Sequence, residues 1–136
     1  MKTLSEIRRQ LLTQHADIRR EIDAVRVVCQ VLPLDRAKLG AVLRRLGELL
    51  HEHNVAEEDA LQNVLPDLDA FGEVRKAVML SEHRAEHEDL RKTLTAAGGR
   101  DSTATVDHML TLLDRMTAHM SHEEDLFLSA RLLSPP

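Results

Sequence analysis

Apolar residues recur at intervals of three and four positions in four separate stretches of the chain. This spacing places apolar side chains on one face of an α-helix, which a helical bundle buries. Thr3 and Glu6 have the spacing of a capping box, and Pro33 follows the first stretch. The sequence therefore predicts a first helix, helix A, over residues 4–31. Its apolar face consists of Leu4, Ile7, Leu11, Ile18, Ile22, Val25 and Cys29.

The other three stretches predict helices B, C and D. Helix B is expected over about 35–64 with Asp35 as its N-cap, helix C over roughly 70–96, and helix D from 101 or 102 to about 132. The apolar faces consist of Leu39, Val42, Leu43, Leu46, Leu49 and Leu50 in helix B, Val74, Ala77, Leu80, Leu90 and Leu94 in helix C, and Met109, Leu112, Leu113, Met116, Met120 and Phe127 in helix D.

Four long helices with short connections favour one architecture. We expect an all-α protein, an antiparallel up-down-up-down four-helix bundle, with residues 1–136 as a single domain. Hydrophobic residues make up 43% of the chain but aromatic residues only 1%, so the core must consist mainly of aliphatic side chains and methionine. This composition suits the packing of helices on helices.

Charge and cysteine content narrow the possible partners. The net charge is −5 and no Lys/Arg tract is present, so we expect no nucleic-acid partner. No apolar stretch is long enough to span a membrane, and no signal peptide is recognisable. The single cysteine, Cys29, excludes an internal disulfide and a CxxCH haem site. We therefore expect a cytoplasmic protein without a membrane partner, whereas any protein partner stays unknown.

Seven polar, titratable residues occupy positions where the helical pattern calls for apolar ones. They are His15 in helix A, His53 and Glu57 in helix B, His83 and His87 in helix C, and His119 and Glu123 in helix D. Counting residues from the predicted turns places all seven in one layer of the bundle. Burying so many imidazoles and carboxylates would be very unfavourable with nothing to bind, since each unpaired charge costs several kcal/mol. The pattern predicts a metal site.

The donor set favours a pair of iron ions over the alternatives. Five imidazoles and two carboxylates exceed the needs of one tetrahedral zinc, and carboxylates can bridge two ions. A lone histidine in an apolar face is more often a satisfied core residue, so the argument depends on the whole set. Glu48 and His51 form one Glu-x-x-His pair of the ferritin-like di-iron type. That class needs two such pairs and the sequence has no second, which disfavours it. The acidic residues around His83 and His87 and the histidines off the apolar faces are expected at the surface: Glu82, Glu86, Glu88, Asp89, His51, His108 and His122.

The motif set resembles the hemerythrin-like (HHE cation-binding) family over nearly the whole chain. It comprises a lone histidine in helix A, "HNVAE" at 53–57, "HRAEH" at 83–87 and "HMSHE" at 119–123. Classical oxygen-carrying hemerythrins end with an acid five residues after the last histidine. Here Glu123 lies at the fourth position and Glu124 at the fifth, and helical periodicity favours Glu123 as the ligand over Glu124.

The resemblance implies a carboxylate-bridged centre of two iron ions, with an oxo or hydroxo bridge. One iron would be held by His83, His87 and His119, the other by His15 and His53, and Glu57 and Glu123 would bridge them. The iron with fewer protein ligands would be open to dioxygen, peroxide or nitric oxide. Ligand binding without catalysis is the expected function. The alternatives are a di-iron enzyme that decomposes peroxide or oxidises ferrous iron, and an iron-handling or sensing protein.

Overall fold

A computed structural model describes residues 3–63 and 102–126 and, between them, residues 77, 81, 82, 84–86, 88, 89 and 92. Three long helices lie in the two continuous ranges: α1 (Leu4–Gln30), α2 (Arg36–Asn63) and α3 (Ser102–Leu126). They correspond to predicted helices A, B and D. The described residues between 77 and 92 are also α-helical, as predicted for helix C. The regular secondary structure of the described residues is entirely α-helical, and no strand occurs among them.

Both predicted N-caps are present. The Thr3 hydroxyl accepts a hydrogen bond from the Glu6 amide at 3.1 Å, and the Glu6 carboxylate accepts one from the Thr3 amide at 3.2 Å. Asp35 Oδ1 accepts a hydrogen bond from the Lys38 amide at 3.1 Å at the start of α2. These bonds stabilise the helix starts because the first amides of a helix have no partner within the helix.

The three helices share one apolar core, whose residues come from the predicted apolar faces. The apolar core comprises Ile18, Ile22 and Val25 of α1, Leu39, Leu43, Leu46 and Leu50 of α2, and Met109, Leu112, Leu113, Met116 and Met120 of α3. Cys29, predicted on the apolar face of helix A, packs against this core but is only half-buried. Burial raises the pKa of this thiol.

Contacts between charged side chains show how the helices are arranged. Arg26 of α1 lies 2.7 Å from Asp114 of α3, whereas Arg19, seven residues earlier, lies 2.8 Å from Glu124. As the residue number increases along α1, the residue number of the contact partner on α3 therefore decreases. Arg115 Nη1 also donates to the Asp89 carboxylate at 3.0 Å, which brings part of predicted helix C against α3. Among the described helices, none has the length and hydropathy needed to cross a bilayer.

Candidate metal centre

Four buried polar side chains from three helices converge on one point. They are His15 of α1, His53 and Glu57 of α2, and Glu123 of α3, here called the His/Glu cluster. Each has a ligand atom within 4.8 Å of those of the other three. The exposed fraction of each residue is 2% or less. The helical pattern explains the convergence, because all four occupy positions on the buried faces of their helices.

The two histidines of the cluster face each other through the same ring nitrogen. His15 Nε2 lies 3.1 Å from His53 Nε2, and the ring centroids are 4.6 Å apart. His53 Nε2 also lies 2.5 Å from Glu57 Oε2, one helical turn further along α2. Residues four apart share a helix face, so the His-x-x-x-Glu spacing presents an imidazole and a carboxylate to the same point.

Glu123 lies between histidines of two different helices. Its Oε1 is 3.5 Å from His15 Nε2 and 3.3 Å from His119 Nε2, and its side chain is 1% exposed. His119 itself is outside the His/Glu cluster, but its side chain is only 9% exposed. A single carboxylate oxygen of Glu123 therefore lies close to an imidazole nitrogen of α1 and to one of α3.

Glu124 occupies a different place from Glu123. Its Oε2 accepts a hydrogen bond from Arg19 at 2.8 Å and lies 3.1 Å from His15 Nδ1, on the outer side of that ring. The side chain is 26% exposed. Burial works to raise the pKa of Glu124, but the hydrogen bonds from Arg19 and His15 and their positive charge outweigh it, so the pKa is lowered. The geometry favours Glu123 as the inner carboxylate.

The electrostatics of the cluster favour positive charge. Burial acts to lower the pKa of His15, but hydrogen bonding to Glu123, the charge of Glu123, and the nearby Glu124 and Glu57 outweigh it. The pKa of His15 is therefore raised above its ordinary value. The carboxylates that raise this pKa place negative charge around His15, and negative charge also attracts a metal cation.

Two of the predicted ligands, His83 and His87, lie outside the described residues. Their described neighbours lie close to the site: Glu82 Oε2 is 3.1 Å and Glu86 Oε1 is 3.8 Å from His119 Nδ1. The prediction that these acids belong to the exposed surface is wrong for Glu86, whose side chain is 12% exposed. Glu86 lies against His119 of α3 instead of pointing into solvent. The surface prediction is confirmed for three histidines: His51, His108 and His122.

Sequence reasoning missed the groups that surround the cluster. Gln14 Oε1 lies 2.9 Å from His53 Nδ1, and Arg19 holds Glu124 against His15. A chemical requirement could have pointed to them, because a histidine that binds metal through one ring nitrogen usually donates the other N–H to an oxygen. The sequence alone does not say which oxygen lies in reach.

The donor set fits divalent metal ions. Imidazole nitrogen with carboxylate oxygen suits iron, and buried carboxylates offset the charge of bound cations. No thiolate is available in the described cluster, which distinguishes it from sites that bind iron–sulfur clusters.

Comparison with known proteins identifies the family of this helical architecture. No curated protein and no solved structure shows a significant match to the chain. Residues 6–130 match the hemerythrin HHE cation-binding domain, which is almost the whole chain and includes every residue of the His/Glu cluster. The chain therefore belongs to the hemerythrin HHE cation-binding domain family.

Proposed function

We propose that this protein is a non-haem di-iron protein that binds dioxygen or another small ligand, such as peroxide or nitric oxide. The observation that carries the proposal is the His/Glu cluster, four buried metal-binding side chains that meet within 4.8 Å in an HHE cation-binding domain. Membership of the family supports binding of a cation. The mixture of imidazole and carboxylate ligands supports iron as that cation.

The proposed ligand set has seven members. His83, His87 and His119 would hold one iron, His15 and His53 would hold the other, and Glu57 and Glu123 would be shared between them. The contacts of Glu123 with both His15 and His119 support its bridging role. The contact of Glu57 with His53 is compatible with the same role.

An antiparallel up-down-up-down order of the four helices is part of the proposal. The order of contact partners along α1 and α3 supports it, and so does the contact between His15 and His53 on either side of the 31–35 connection. This order brings ligands from distant parts of the chain into one layer.

The side chains of the protein would prepare the site in three ways. Glu57 and Glu123 would supply negative charge in a buried place, and His15 would need a deprotonated Nε2 to hold a cation. Leu11 and Met120 are buried within four residues of a cluster residue, and such apolar side chains would keep bulk water away. Two iron ions bound there would supply the redox chemistry needed to bind a small diatomic ligand or peroxide.

An anaerobic titration with ferrous iron tests the proposal. We expect two irons per chain in the native protein, followed by a visible absorption that appears when oxygen is admitted and disappears when it is removed. His53→Ala should lose iron binding, whereas His51→Ala, two residues away on the exposed side of α2, should keep it. Equal iron contents in the two variants would contradict the assignment of His53.

The oxygen step decides between reversible binding and the alternatives. An irreversible change to a diferric spectrum would contradict reversible dioxygen binding and make peroxide or nitric oxide the next ligand to test. Rapid consumption of peroxide or of ferrous iron would instead indicate an enzyme. The cytoplasmic location, the single domain over 1–136, and the absence of nucleic-acid and membrane partners stay predictions from the sequence.

A further inference from the structure

Each described histidine close to the centre has an oxygen atom next to its outer ring nitrogen. In every case Nε2 faces a residue of the His/Glu cluster, and Nδ1 faces a side-chain oxygen of another helix. The Nδ1–oxygen pairs are His15 with Glu124 at 3.1 Å, His53 with Gln14 at 2.9 Å, and His119 with Glu82 at 3.1 Å. The repetition on three rings indicates a common role.

The chemistry of these pairs determines where the ring proton lies. An ionised carboxylate can only accept a hydrogen bond, so Nδ1 of His15 must carry the hydrogen in the pair with Glu124. The amide oxygen of Gln14 is likewise an acceptor for His53. A neutral imidazole with its hydrogen on Nδ1 has its lone pair on Nε2, which is the atom that faces the cluster.

We propose that Glu124 is a positioning residue that fixes the His15 ring with Nε2 directed at the metal centre, and that Gln14 does the same for His53. The proposal rests on the proposed function, because the direction of Nε2 matters most when a metal ion binds there. Glu124 differs from Gln14 in carrying a charge. It should therefore make its histidine the stronger metal ligand of the two.

Glu124 is itself held in place. Arg19 Nη2 donates to Glu124 Oε2 at 2.8 Å and lies 3.4 Å from the hydroxyl of Ser121, one turn before Glu124 on α3. Arg19 lies one turn after His15 on α1, so a single carboxylate joins two residues of α1 to α3. This link restricts both the Glu124 side chain and the His15 ring.

Ferrous-iron affinity, measured anaerobically against a competing chelator, tests the role of Glu124. Glu124→Ala should weaken binding about 10- to 100-fold, the usual effect of losing an outer partner of a metal-bound histidine. Glu124→Gln keeps an oxygen acceptor and should lose less. Asp125→Ala removes the same charge from the exposed neighbouring position and should bind iron as the native protein does. For Gln14, we expect Gln14→Ala to have a smaller effect than Glu124→Ala.

A second measurement on the metal-free protein separates positioning from iron binding. In nitrogen-15 NMR spectra, the Nδ1–H of His15 should exchange slowly with water in the native protein and quickly in Glu124→Ala. Native protein that binds no iron but keeps this slow exchange would overturn the proposed function and leave the positioning role standing. If Glu124→Ala does not fold, iron affinity and exchange of the His15 Nδ1–H are compared between the native protein and the variants Glu124→Gln and Arg19→Met.

The positioning role is overturned by either of two results. One is native iron affinity in Glu124→Ala; if the melting temperature of that variant is lower, the contact is merely structural. The other is unchanged, slow exchange of the His15 Nδ1–H in Glu124→Ala.

Discussion

The apolar core and the His/Glu cluster are equally buried but opposite in chemistry. Ile18 and His15 are one turn apart on α1, and both are 0% exposed. On α2, fully buried Leu46 belongs to the apolar core, and fully buried Glu57 belongs to the cluster. Along α1 and α2, the buried face therefore changes from aliphatic side chains to titratable ones without becoming more exposed.

The comparison teaches that burial has different causes in the two regions. In the apolar core, removing aliphatic surface from water stabilises the fold directly. In the cluster, burial costs free energy unless charges and hydrogen bonds offset it. A cluster buried at such a cost fits the cation-binding site expected of the family, and mutations in the two regions should separate stability from metal affinity.

The largest expected effect is on metal binding, from Glu57→Gln in the cluster. The change keeps the size of the side chain and removes the negative charge, so ferrous iron should no longer bind at concentrations that saturate the native protein. Anaerobic titration measures this. Glu52→Gln is the control, since Glu52 is exposed on the same helix. Full iron occupancy in Glu57→Gln would show that the cluster does not need this charge.

The next effect is on stability, from Leu46→Ala in the apolar core. Removing a fully buried leucine side chain leaves a cavity, and we expect the free energy of unfolding to fall by about 2–5 kcal/mol. Chemical denaturation measures it, with exposed Arg44→Ala as the control. The folded variant should still bind the native amount of iron. A lost metal site in folded Leu46→Ala would mean that the two regions are not independent.

Removing the metal should lower the free energy of unfolding by less than the largest loss expected from a cavity in the apolar core. A cation that binds only the folded state adds about 2.7 kcal/mol when its free concentration is about 100 times its Kd. Thermal unfolding with and without ferrous iron, both under anaerobic conditions, measures the difference. An unchanged melting temperature would contradict metal binding to the folded state.

The stability of the metal-free protein should fall as pH rises through the pKa of His15. That pKa is raised above 6.5 in the folded state, so its contribution is fully present below about 6.5 and is lost at higher pH. Each unit of the shift corresponds to about 1.4 kcal/mol. Unfolding of native protein and of His15→Gln should be compared from pH 6 to 9 (about the range in which an imidazole with a raised pKa titrates). Parallel pH profiles would contradict the contribution of His15.

The smallest effect should come from an ion pair outside both regions. Arg26 and Asp114 are 2.7 Å apart, with side chains 34% and 75% exposed. Exposed pairs contribute about 0–1 kcal/mol, so Arg26→Ala should lower the free energy of unfolding by no more than that. Iron affinity should be unchanged. A loss comparable with that of Leu46→Ala would show that this pair fixes the packing of α1 on α3.

The local features of the helices could be predicted from the sequence because they depend on near neighbours. The capping box of Thr3 and Glu6 and the N-cap of Asp35 involve residues three apart, so spacing alone predicts them. The buried faces also follow from spacing, since residues three and four apart share one side of a helix. The same periodicity placed His15, His53, Glu57 and Glu123 on buried faces, although it could not measure their separation.

Tertiary structure decided what lies around the predicted residues. Consecutive residues differ by about 100° around a helix, so periodicity favours Glu123 over Glu124, but only the position of α1 shows Glu124 beside His15 and Arg19. The burial of Glu86 also depends on a neighbouring helix. Spacing along one helix thus determined which face of each helix is buried, but not the burial of every residue beside that face. The packing of helices distant in sequence determined which atoms meet, because long side chains can reach several partners and only the assembled bundle selects among them.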